Sequence, residues 1–356
     1  MAESKTKKKV VSPVVSPVVR RPTVDWVTLI VPWGIGPEYL RDAEDGDAFE
    51  PVQERLEAMA EEGLCKMWRD AGSRYRVQTR VTLPGGGAKV LVQFGAKDPL
   101  TLKGAIRIDF NPNKLLEGDA EYLHKFIRRA VGKSYDTHLL DAIVNRLDLA
   151  SDVEHVVLGD LLIDYKGAHE VTMFAKRLKK NKIETMNFGS VSSDYVTAVY
   201  GKNEEQVHRA IERLAEAKTK AASDALKANL VRQVRVARDL PPTVRFEVRG
   251  KKMGTPVFKL KKLNVKRFER FQVSELQNLE GLDDFTRINF LALVRDMGLR
   301  AAIAHYKGRP EHAALKKAML QTPDWWQPEG LWGRGIKALK KSGILPADAF
   351  KAPSKR

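Results

Sequence analysis

The chain has 356 residues, 43% of them hydrophobic, so it is too long for one small core and is expected to fold as two domains with tails. Its formal charge of +17 favours a polyanionic partner, nucleic acid first. A single cysteine, Cys65, excludes an intrachain disulfide framework and a cysteine-based zinc site and fits a reducing cytoplasm, and no apolar run approaches a membrane span.

Residues 1–22 read as a flexible basic arm. Its tandem VVSPVVSPVV favours extended backbone, because each proline fixes its own φ and restricts the residue before it. The arm lacks the continuous apolar stretch of a signal peptide. DWVTLIVP then reads as a strand, and residues 49–70 as an amphipathic helix that carries Cys65. YRVQTRVTL and AKVLVQFG flank a PGGG turn as a hairpin. GAIRIDFNP is a strand, AEYLHKFIRRAV a helix and IVNRLDLASDV a strand. A basic helix is expected over 157–180, ending in KRLKKNK. ETMNFGS and DYVTAVYGK are strands, residues 203–238 are helical with acids in the first turn, and TVRFEVRG is the last strand.

Strands in pairs with helices between them predict an α+β fold, a largely antiparallel central sheet with flanking helices, over residues 23–250. A basic linker over 251–274 leads to a smaller all-α C-terminal domain over 275–342 and a tail over 343–356. Trp325, Trp326 and Trp332 read most simply as that small domain's core.

Alternate side chains of a strand share a face. In NRLDLASDV, Arg146, Asp148 and Asp152 point one way, opposite Leu147 and Leu149. Two carboxylates on one face repel, and a hard divalent cation such as Mg²⁺ relieves that repulsion. The same pattern also suits a solvated face of an edge strand. In TVRFEVRG, Arg245, Glu247 and Arg249 oppose Val244, Phe246 and Val248. This stripe is either an ion-pair ladder or a metal-binding glutamate between two phosphate-binding arginines.

DYVTAVYGK ends in Tyr200, Gly201 and Lys202. A phenol with its ordinary pKa near ~10 is a poor nucleophile and needs a positive charge, a base or a metal. Lys202 has the parity of Tyr200, so it can lower that pKa or meet a phosphate. Tyr195 is the competing tyrosine, on the opposite face. Seven scattered histidines form no His-x-His pair, so a metal here would rest on carboxylates. A phosphate-binding Gly-x-x-x-x-Gly-Lys loop is also missing.

From Arg245 to Arg270 ten basic residues face two acids over 26 positions, a surplus of eight. Arg245, Arg249, Lys251, Lys252, Lys259, Lys261, Lys262, Lys266 and Arg267, with Arg146, are the candidate DNA contacts. Phe258, Phe268 and Phe271 are interleaved for base stacking.

The order of these motifs resembles the rolling-circle replication initiators, above all the replication-initiation-factor family of small plasmids and filamentous phages. The resemblance runs from Ala105 to Arg249. It rests on IRIDFNPNKLL, on Arg146, Asp148 and Asp152, on Gly189 and Ser190, on Tyr200 and Lys202, and on Arg245 and Glu247. It implies a nicking and joining endonuclease in which Tyr200, aided by Lys202, attacks one strand at the origin. The enzyme keeps a 5′-phosphotyrosyl ester and frees a 3′ hydroxyl for the host polymerase. Asp148, Asp152 and Glu247 are the implied ligands for Mg²⁺ or Mn²⁺. Double- and single-stranded origin DNA and host replication proteins such as a helicase are the implied partners, in the bacterial cytoplasm if the chain is phage-encoded. Two departures stand out: the absent His-x-His pair, which leaves the carboxylate branch, and Gly201 where many relatives carry an acid, a role Glu204 or Glu205 can take over. Two other classes remain: a DNA-binding protein without catalysis, such as a repressor or single-strand binder, and a tyrosine recombinase, which builds its site on helices instead.

Overall fold

The structure is a computed structural model that describes residues 15–34, 49–86, 88–176, 182–190, 192–219, 224–263 and 266–351. Alternating apolar and polar residues build an antiparallel sheet, with 12 strands among these residues. In chain order they are β1 (Val18–Val19), β2 (Thr23–Val31), β3 (Cys65–Trp68), β4 (Tyr75–Val81), β5 (Val90–Ala96), β6 (Ile106–Phe110) and β7 (Ile143–Glu154). There follow β9 (Val171–Lys176), β10 (Lys182–Phe188), β11 (Tyr195–Gly201), β12 (Thr243–Gly250) and β13 (Thr255–Pro256), while β8 (Leu161–Tyr165) and β14 (Phe271–Glu275) pair as a separate ribbon. The spatial order is β3-β4-β5-β6-β2-β7-β12-β11-β10-β9, and β1 and β13 pair along β7.

The helices of six or more residues are α1 (Glu50–Glu61), α2 (Asp119–Val131), α3 (Tyr135–Leu140), α4 (Lys202–Thr219), α5 (Asp224–Asp239), α6 (Asp284–Met297), α7 (Leu299–His305), α8 (Glu311–Leu320) and α9 (Leu331–Lys341). The α+β class, the antiparallel sheet and the helical C-terminal part are as expected from sequence. No helix among the described residues is long and apolar enough to cross a membrane.

One face of the sheet is the main core. Leu147, Leu149, Val244, Phe246 and Val248 are buried there with Leu123 and Ile127 of α2 and Ile336 and Leu339 of α9. Trp326 and Trp332, read from sequence as part of a small helical core, lie in this main cluster instead, and the Trp326 ring centroid is 4.2 Å from that of Phe246. Helix α9 approaches β7 closely because residue 335 is glycine: a Cβ there would stand 2.6 Å from Leu149 Cδ1. A second cluster joins Phe290 and Val294 of α6, Leu299 and Ala302 of α7, Leu315 and Ala318 of α8, and Leu162 of β8.

Three local expectations are corrected. The helix expected over 157–180 is replaced by β8 and β9, with residues 177–181 outside the described part. LLIDY is buried along its whole length and pairs with β14, and this burial overrides the helical look of the charges around it. The helix expected over 49–70 stops at Glu61, and Cys65–Trp68 pairs with β4. In the lysine-rich stretch, Phe268 and Phe271 are buried, so they cannot stack on bases. Phe271 packs at 5.3 Å on Phe246 and at 4.8 Å on Tyr165.

Of the N-terminal arm, Val18–Val19 pairs with β7, and Arg20 is bonded to Glu154 at 2.5 Å. Residues 1–14 lie outside the described part.

Candidate active site on the polar sheet face

The other face of the same central strands is polar. Strand register aligns its residues in rows: Tyr200 of β11 faces Arg245 of β12, which faces Asp152 of β7. Two residues along, Glu247 faces Ala198 on one side and Ala150 on the other; two more, Arg249 faces Val196 and Asp148. The alternation read from sequence therefore brings Arg146, Asp148, Asp152, Tyr200, Arg245, Glu247 and Arg249 onto one face.

Nearly every charge there is matched. Arg249 donates to both oxygens of Glu247, at 2.8 and 3.0 Å. Arg146 donates to Asp148 at 2.6 Å and lies 5.5 Å from the centroid of Trp26. Arg245 donates to both oxygens of Asp152, at 2.5 and 2.7 Å, and to Asp25 Oδ2 at 2.5 Å. Sequence reasoning missed Asp25. By alternation it belongs to the core face with Val27, but the register shifts between Val24 and Trp26, and this bulge brings Asp25 to the Arg245 guanidinium.

The Tyr200 hydroxyl donates to Glu247 Oε2 at 3.1 Å in a buried setting. Burial, and then the Glu247 charge, push the phenol well above its ordinary pKa, against the pull of Arg245. Lys202 does not reverse this. Its ammonium bonds to Glu205 at 2.9 Å and stands 5.8 Å from the Tyr200 ring centroid. Burial also pushes the Glu247 carboxyl up, but Arg249, Tyr200 and Arg245 outweigh it and hold the group below the usual range. Asp148 goes the other way: burial, reinforced by the Glu247 charge, raises it despite Arg146.

Asp148 and Glu247 sit diagonally across β7 and β12 at 2% and 5% exposure, and by type they fit a hard cation. Asp152 lies four residues further along β7, about 13 Å at the strand rise, and all three carboxylates have both oxygens engaged by an arginine: Asp148 by Arg146, Glu247 by Arg249 and Asp152 by Arg245. Among the described residues no three His, Cys, Asp or Glu side chains gather as a ready cation site. At residue 201 the space a side chain would take is filled by the Glu204 carboxylate.

The basic run after β12 lies elsewhere. Tyr195 faces Gly250, so Lys251 and Lys252 leave the end of β12 about 17 Å from the Tyr200 row, at the strand rise. Lys252, Lys259, Lys261, Lys262 and Lys266 are exposed, while Arg267 lies 3.5 Å over the Tyr195 ring. Tyr195 is thus a packing tyrosine, held at the other end of the strand from Tyr200.

No protein-family model matches the chain, and no curated protein matches it. Among solved structures it shows similarity to a rolling circle replication initiator protein from Geobacillus stearothermophilus, at 13% identity and a TM-score of 0.34, over 79% of this chain and 98% of that one.

Proposed function

We propose that this chain nicks and rejoins DNA at a replication origin, with Tyr200 as the nucleophile. The observation that carries this reading is the Tyr200–Glu247 hydrogen bond, set between Arg245 and Arg249 on a polar sheet face. A phosphodiester laid on that face meets a nucleophile, a proton acceptor and two guanidiniums within one patch.

In cleavage Tyr200 Oη bonds to phosphorus and the P–O3′ bond breaks. The phenol proton passes to Glu247, and the departing 3′ oxygen takes up a proton from water. The 5′ phosphate stays on the tyrosine. In rejoining, a 3′ hydroxyl attacks the same phosphorus and gives its proton back to the solvent, the P–Oη bond breaks, and Glu247 returns its proton to the phenolate oxygen. Ordinary pKa values near 10 and 4.3 already make full transfer from phenol to carboxylate uphill by about 8 kcal/mol, and the local environment widens the gap. Proton loss must therefore accompany formation of the P–O bond.

Asp148 and Glu247 would hold Mg²⁺ or Mn²⁺, which when bound supplies Lewis-acid neutralisation of the phosphoryl charge. Arg146, Arg245 and Arg249 order the scissile region, and the exposed lysines beyond β12 hold more distant phosphates.

One observation favours the second reading, DNA binding without cleavage: the resting phenol is pushed up, not down. A single assay separates the two. Full-length protein is mixed with labelled single-stranded DNA from its own replicon, with Mg²⁺ or with chelator, and run on a denaturing gel. A covalent adduct that needs Tyr200 is expected. Tight binding with no adduct, on DNA that contains the origin, would transfer the case to the second reading.

A further inference from the structure

Far from Tyr200, the same polar face ends in a pocket of about 380 Å³ between the β4–β5 hairpin and the start of β7. Arg74, Lys103, Arg107 and Lys252 line it, and none of its described lining residues is acidic. Arg107 is held from behind by Asp109 at 2.6 Å. The other three cations come from separate loops, and all three are exposed.

Two features mark this as a built site. The Tyr75 hydroxyl is buried and has no hydrogen-bond partner, although the residue lines the pocket and is only 3% exposed. Lys103 and Lys252 both have left-handed backbone, at φ 59° and 52°, an uncommon conformation away from glycine. Gly254 lets the Lys103 ammonium lie close: a Cβ there would stand 3.1 Å from Lys103 Nζ. Asn145 and Gln93 add amides to the lining, and Ile30 and Ile143 an apolar wall.

We infer that this pocket binds one nucleotide unit, its phosphate on Arg74, Lys103 and Lys252 and within reach of the Tyr75 hydroxyl. The apolar wall and the two amides suit a base. A unit of the bound DNA strand and a free mononucleotide share this chemistry. Only the choice of DNA as a probe rests on the Tyr200 reading.

The test is fluorescence anisotropy on the full chain in a Tyr200→Phe background, so cleavage plays no part in the readout. The probes are a fluorescein-labelled oligothymidylate of about ten nucleotides, with dTMP as the second ligand. Arg74→Gln with Lys103→Gln is expected to weaken the oligomer at least about tenfold and to cut the salt slope by about 0.7, the value for one phosphate contact on a single strand. Tyr75→Phe, which changes no charge, is expected to weaken it about threefold, the loss of one hydrogen bond. The control Arg295→Gln with Arg309→Gln removes two exposed charges elsewhere. Loss confined to dTMP would support the site and make its ligand a free nucleotide. Variants that match the control with both probes would overturn the inference, whatever the Tyr200 adduct assay shows.

Discussion

The two faces of strands β7 and β12 obey opposite physics. On one, Leu147, Leu149, Phe246 and Val248 are excluded from water and packed against α2 and α9. On the other, each of Asp148, Asp152 and Glu247 is bonded to an arginine. The apolar face gains free energy as water leaves it, whereas the polar face is desolvated only because its charges are paired. Residues one position apart in sequence therefore divide into those that hold the sheet and those that can act on a phosphate.

This division predicts that stability and chemistry separate by face. The largest effect is expected at Tyr200→Phe, which should abolish the covalent DNA adduct on a denaturing gel. Its cost in stability should be only about 1 kcal/mol, one hydrogen bond, because Glu247 keeps both contacts to Arg249. Tyr195→Phe should leave the adduct unchanged. A Tyr200→Phe protein that still forms the adduct would remove the chemical role of this face.

Phe246→Ala, on the opposite side of the same strand, should cost about 3–5 kcal/mol in urea denaturation, because its ring is fully buried against Trp326 and Phe271. Adduct per folded molecule should stay level. A large loss in that ratio would show that the faces are coupled.

Glu247→Gln leaves the partly exposed Arg249 guanidinium, 32% exposed, without its carboxylate, and a cost of about 1.5–3 kcal/mol is expected. The folded pKa of Glu247 is lowered, so its stabilisation is complete above the unfolded value near 4.3 and is lost as pH falls through the folded value. Asp148 is raised, so it opposes stability above its folded value and the penalty fades as pH falls through it. Urea midpoints measured from about pH 6 to about pH 3 should fall less steeply for Glu247→Gln than for the parent below about pH 4.3. Parallel curves would mean that the carboxylate is not held by Arg249.

The smallest effect is expected at Gly335→Ala. The new methyl must displace Leu149, for a loss of about 1–3 kcal/mol in thermal or urea unfolding with the adduct retained.

Much of the site was legible because period-2 alternation survives in long strands. Arg146, Asp148 and Asp152 in β7, and Arg245, Glu247 and Arg249 in β12, were assigned to one face from parity alone, and the register confirms that placement. Parity fails where the strands bulge. Asp25 is the extra residue of β2 and Asn145 the extra residue of β7, and each reaches the polar face against its apparent alternation. Composition was also an incomplete guide near Arg267, because Phe268 and Phe271 sit among lysines and still lie in the core. LLIDY was hidden by the basic stretch that follows it, since its pairing partner β14 lies over a hundred residues away.

By itself the sequence determined the α+β class, the strands of the central sheet, which side of β7 and β12 is apolar, and a basic chain suited to a polyanion. Those properties depend on short-range periodicity and on total charge, both of which are local or additive. Only the tertiary structure decided that Glu247 accepts the Tyr200 proton bond, that Asp152 and Asp25 share Arg245, and that Lys202 turns to Glu205. It also decided that Arg74, Tyr75, Lys103 and Lys252 line one pocket. Each of these depends on strand register, on a one-residue bulge or on the meeting of distant loops, and such long-range contacts leave no periodic trace along the chain.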